Sequence, residues 1–180
     1  MSNVIVGGNL IAAITGGVFY TTPLARTTEG SDVLETSPSS VLAYYIIETL
    51  AKMTDPSEGD TWPLYISSMP DGDDIETNCG ALYDTSGIQS MRQMNGYIAQ
   101  FFGIQLRIRS KTYEIGWAKI EDIGNALDKV NNISVEITPE EYEIQNISRT
   151  TPIVPLGLER ETKRRYLFTL NFAMTIKKLT

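Results

Sequence analysis

The sequence predicts an α+β fold: a mostly antiparallel sheet packed against two helices, with an extended N-terminal arm. Three observations predict it. Two segments, VLAYYIIETLAKM and KTYEIGWAKIEDIGNALDKV, repeat apolar residues at helical spacing. Several others alternate apolar and polar residues, the period of a strand with one buried face. The serial order (arm, helix, short strands, strand, helix, strands) is that of segregated helices and a meandering sheet rather than repeated βαβ units.

Taken in order, residues 1–40 are rich in Gly, Ser and Thr with scattered apolar residues, a composition expected of an arm that orders against something else. The stretch from Val4 to Phe19 is apolar enough to expect a partner, or the rest of the chain, to cover part of it. It has no basic leader and is broken by Gly7, Gly8, Asn9, Thr15, Gly16 and Gly17, so neither a signal peptide nor a membrane span is expected. Residues 41–180 are expected to form a single domain, since 180 residues suit one core.

Pro38-Ser39-Ser40, at the end of the arm, opens helix one behind a serine cap, with Val41, Leu42, Tyr45, Ile46 and Leu50 at helical spacing and a stop before Asp55-Pro56. TWPLYISSM reads as a short strand before the turn residues Pro70-Asp71-Gly72. Gly80, Gly87, Asn95 and Gly96 surround apolar Ala81-Leu82-Tyr83 and Ile88, read as a second strand and a loop. In YIAQFFGIQLRIRS, Ile104, Leu106 and Ile108 alternate with Gln105, Arg107 and Arg109, a clear strand. Ser110 is the expected cap of helix two, whose stripe is Tyr113, Trp117, Ile120, Leu127 and Val130 and whose stop is Asn131-Asn132. ISVEI and EYEIQNISR follow as strands split by Thr138-Pro139, then a Pro-rich TTPIVPLGLE. The closing segment is a long strand with Tyr166, Phe168, Leu170, Phe172, Met174 and Ile176 toward the core.

Composition then narrows the chemistry. Hydrophobic residues make up 42% and charged residues 21%, enough for a packed core. There is no histidine, which removes Ser-His-Asp and Cys-His pairs and every histidine-bearing zinc site. Cys79 is the single cysteine, so no intrachain disulfide and no cysteine metal cluster can form, and a reducing compartment is expected. The net charge of -7 argues against a generic nucleic-acid or anionic-membrane binder. That charge is split: residues 1–104 carry 3 basic against 12 acidic side chains, and residues 105–180 carry the other 12 basic and 10 acidic. Such asymmetry suits a subunit whose neighbour presents a complementary face.

No motif specifies catalysis. Asp71, Asp73 and Asp74 form the densest carboxylate cluster, inside a window from Asp55 to Glu76 with seven acidic and no basic residues. It lacks the full spacing of a calcium loop, so the readings are a solvated acidic turn or an electronegative lining past which DNA slides. The paired glycines fit neither a P-loop nor a dinucleotide fingerprint. No catalytic residue, cofactor or metal is expected. The basic side chains Arg107 and Arg109, and Arg164 and Arg165, can meet phosphates, stay solvated, or pair with acidic groups of a neighbouring subunit; the last is the reading preferred here.

The order of elements, with Gly103-Ile104-Gln105 inside FFGIQLRIRS, the Trp117-Ala118-Lys119-Ile120 helix, and a closing Leu156-Gly157 and RRYLFTLNF with Arg165 and Asn171, resembles the tail-terminator or tail-to-head joining proteins of tailed bacteriophages, often labelled minor capsid proteins. The resemblance covers roughly residues 40–180. It implies a structural virion protein without enzymatic activity, assembled in the host cytoplasm and located at the tail-neck junction. Its implied partners are itself in a homohexameric ring, the tail tube protein, and a head-completion or connector protein, with DNA passing through the lumen without specific binding and no membrane contact. On this reading the arginines make subunit or ring contacts and the acidic loop faces lumen or tube. The competing expectations are a head-completion or connector protein of the neck and a small DNA-binding module.

Overall fold

The computed structural model describes residues 5–6, 9–10, 36–58, 61–70, 78–92, 98–159 and 165–179. It is α+β. Two short strands, β1 (Ile5–Val6) and β2 (Asn9–Leu10), pair with each other antiparallel and make a small sheet of their own. Helix α1 (Pro38–Tyr44) starts where Ser37 Oγ accepts the Ser40 N–H at 3.3 Å and Pro38 occupies the first turn, where a missing N–H costs nothing. It runs on as a π-helical turn over Tyr45–Thr49, in which the Leu50 N–H reaches Tyr45 O at 3.0 Å, and stops at Ala51, whose φ is 48°.

The main sheet has the strand order β3 (Leu64–Ile66), β4 (Cys79–Arg92), β5 (Ile98–Ser110), β9 (Tyr166–Leu179), β7 (Glu140–Arg149) and β6 (Asn131–Ile137), with β8 (Val154–Leu158) also on β9. All pairs are antiparallel except β3 on β4, which run parallel. Strands β7 and β8 share one edge of β9: β7 pairs with its residues 172–179 and β8 with 166–169. Helix α1 touches β3 and β4 at one end of the strand order and β6 at the other, so the sheet curls around it.

Register explains the core. Gly80, Ile108 and Phe168 are level with one another, as are Leu82, Leu106 and Leu170, so these side chains share one face of the pleat. Helix α2 (Tyr113–Leu127) packs on that face, and Leu82, Leu106, Ile108, Ile120, Ile123, Leu127, Phe168 and Leu170 are all fully buried. Every apolar position expected to point inward on β9 does so, from Phe168 to Ile176, with Tyr166 half-buried at the strand's start.

Four local expectations are corrected. Ser110 does not cap α2: it ends β5, is fully buried, and donates to Asn78 Oδ1 at 3.1 Å, while the capping position falls to Thr112. Asn131-Asn132 opens β6 rather than stopping α2, which ends at Leu127 with Asp128 in the C-terminal cap position. The Pro-rich stretch contains β8. The expected short strand and loop at residues 80–96 include the 14-residue β4, where Gly87 is a point of close approach rather than a turn. A Cβ on Gly87 would sit 2.1 Å from Phe101 O across the hairpin, and the register slips between Thr85 and Ile88.

Candidate interaction surface

The four arginines singled out by sequence separate into different environments. Arg107, on the face of β5 away from α2, is exposed; its guanidinium lies 4.8 Å from the Tyr83 ring centroid and its Nε donates to Gln105 Oε1 at 2.7 Å. Gln105 Nε2 donates to Asn171 Oδ1 at 3.0 Å, and Asn171 Nδ2 to Thr151 Oγ1 at 3.2 Å. These bonds make a polar ladder from β4 across β5 and β9 to the β7–β8 connection. In the sequence Gln105 and Asn171 stand together only as parts of a resemblance; the register of β5 on β9 sets them directly opposite.

Arg109 and Arg165 lie inside the protomer, at 1% and 0% exposure. Arg109 Nη2 donates to Pro70 O at 2.9 Å, tying the segment after β3 to the end of β5. Arg165 Nε donates to Glu159 Oε2 at 2.8 Å, and the Glu159 N–H donates to Arg165 O at 2.8 Å, so main chain and side chain together close the β8–β9 connection. The expectation that these two reach a neighbouring subunit is corrected: alternation on β5 aims Arg109 beneath the residue-70 segment, and Arg165 is held under its own hairpin. Arg164, Asp71, Asp73 and Asp74 lie outside the described residues.

Cys79 pairs with Arg109 across β4 and β5 and is fully buried. Burial pushes its thiol pKa up, against the pull of the Arg109 and Arg165 guanidinium groups. A thiol reagent at about pH 8 is therefore expected to leave Cys79 unmodified in the folded protein and to label it fully in denaturant; labelling at the same rate in both states would refute this burial.

All five residues of β8 are exposed, with Val154 at 39%, Leu156 at 51% and Leu158 at 47%. β8 is antiparallel to β9 on one side, and among the described residues no strand pairs with its outer edge. Leu158 is the cross-strand neighbour of Tyr166, whose ring lies 5.7 Å from that of Tyr113. Tyr113 stacks on Trp117 at 6.0 Å and meets Phe168 edge-on at 5.1 Å, so exposed Tyr113 continues the apolar surface of β8 onto the first turn of α2. Gly157, with φ of 94°, and the bulge between Pro155 and Gly157 give this strand its local twist. Alternation shows no strand here because Pro155 and Gly157 interrupt it and Pro152 stands just before it.

A concavity of about 370 Å³ lies between the end of the π turn and α2, lined by Tyr45, Leu50, Lys52, Asp122, Ala126 and Lys129 among others and crossed by a 2.9 Å Lys52–Asp122 ion pair. Next to it Lys119 lies 5.3 Å from the Trp62 ring centroid and donates to Lys52 O. Burial lowers its pKa, partly offset by Asp122. Among the described residues no three His, Cys, Asp or Glu side chains assemble into a metal site, and no helix is long and apolar enough to cross a membrane.

Fold and surface together define an α+β protein with one large sheet and, among the described residues, an apolar strand edge that no other strand covers. No protein-family model matches the sequence, and no curated protein matches it.

Proposed function

We propose that this chain is a structural virion subunit that forms a ring at the head-tail junction of a tailed phage, ends tail-tube polymerisation and joins tail to head. The observation that carries the reading is β8: a strand exposed along its whole length, apolar, and, among the described residues, paired along one edge only. An uncovered edge of this kind pairs promiscuously unless a specific partner takes it, so it belongs to a protein that works assembled. The split of acidic and basic residues between the two parts of the sequence favours contacts between unlike faces of identical subunits, the arrangement that closes into rings. The particular place in the virion rests on the resemblance carried by residues 40–180.

The test is to mix the purified protein with the tail-tube protein of the phage that encodes it and image the products. Rings seated on tube ends, with tube growth halted, are the expected result. Tubes that lengthen unaffected, with bare ends, would overturn the proposal. If the protein instead sediments with portal or connector and ignores the tube, the neck reading replaces it.

A further inference from the structure

The chain carries two incomplete β-structures, and each supplies what the other lacks. The first is the β1–β2 hairpin. It stands as a two-stranded sheet separate from the main one, and an isolated hairpin is at best marginally stable in water until a third strand joins it. Its sequence, VIVGGNLI, is rich in β-branched and apolar residues on either side of a Gly-Gly pair. The second is β8, an edge strand with Val154, Leu156 and Leu158 exposed and no strand on its outer side among the described residues.

We infer that the β1–β2 hairpin of one copy adds to the β8 edge of a neighbouring copy, so that subunits associate head to tail by strand addition. Charge supports this pairing. No charged side chain occurs before Arg26, and none occurs from Thr150 to Leu158, so the contact buries no charged side chain. Reach supports it too: the 25 residues between Leu10 and Thr36 can span up to about 80 Å, enough to cross a subunit boundary. Among the described residues no pairing joins the two sheets within one copy, and the inference takes the hairpin of a second copy as the occupant. Hairpin and edge are different surfaces, which makes the contact heterologous; repeated, it closes a ring or extends a filament.

The inference deepens the ring proposed above but does not require a phage tube, and its test keeps the two apart. Two full-length variants are made: Val6→Asp in the hairpin and Leu156→Asp at the edge. Leu156 is exposed, and matching thermal melts confirm that each variant folds. Native mass spectrometry is run on each alone and on an equimolar mixture. The wild type is expected to form oligomers, each variant to be monomeric, and the mixture to yield 1:1 heterodimers and nothing larger, because only one intact hairpin meets one intact edge. A peptide of residues 1–20 is expected to dissociate the wild-type oligomer.

Oligomers that persist in both variants, or a mixture that stays monomeric, would overturn the inference, as would a wild type monomeric at every concentration. Heterodimers in the mixture together with a wild type that leaves tube ends bare would uphold the contact while refuting the head-tail role.

Discussion

Glu159→Ala is expected to cost about 3 kcal/mol of stability, far more than the loss of a carboxylate near a chain bend would ordinarily cost. The reason is its partner. Arg165 is fully buried, and its Nε bonds Glu159 Oε2 at 2.8 Å. A guanidinium cannot shed its charge at any ordinary pH, so deleting the carboxylate takes the Glu159 counter-charge away from a buried cation. Replacing both partners, Arg165→Met with Glu159→Leu, is expected to be much milder, because an apolar pair of similar volume carries no desolvation penalty. Arg107→Glu is the control: its side chain is exposed, and the change is expected within about 0.5 kcal/mol. Urea unfolding of the three variants and the wild type checks the series. Equal midpoints for Glu159→Ala and wild type would show that the pair contributes nothing.

This series also separates two roles that the sequence merges. Arg107 and Arg109 are two residues apart on one strand and read alike as polar-face cations. What distinguishes them is the segment after β3, whose Pro70 carbonyl lies over Arg109 but not over Arg107, and no local pattern encodes that crossing. Elements defined by their own periodicity are legible: β5, β7 and β9 have clean alternation, and α1 and α2 carry helical stripes. The sequence reading cuts β4 short because Gly80 and Gly87 signal turns locally. In the fold they mark close approaches to Met53 and Phe101, residues distant in the chain. The open edge is the least legible part of the candidate surface. Pro155 and Gly157 hide β8 from any periodicity argument, and its openness depends on β6 pairing with β7 only as far as Asn146.

Gly116→Val is expected to destabilise by about 3 kcal/mol, comparable to the roughly 3–5 kcal/mol expected for Phe168→Ala, although one adds atoms and the other removes them. Gly116 lies in the first turns of α2, where a Cβ would fall 2.4 Å from Phe168 Cε2 and 2.8 Å from Ser110 Cβ. Ser110 is held on β5 by its bond to Asn78, so the helix rather than the strand must give way. Phe168 fills the space above that glycine and touches Tyr113 and Trp117, so its removal opens a cavity under the same turn. The two sites are therefore coupled. Trimming Phe168→Leu is expected to relieve Gly116→Ala, so that the double variant is more stable than the sum of the singles by about 1 kcal/mol. Additivity within about 0.3 kcal/mol would mean that the helix does not rest on this ring. Coupling would tie the apolar patch to the core, because α2 carries Tyr113 to Tyr166, and Tyr166 is the cross-strand neighbour of Leu158. A shift of the helix then moves one wall of the surface on which β8 lies.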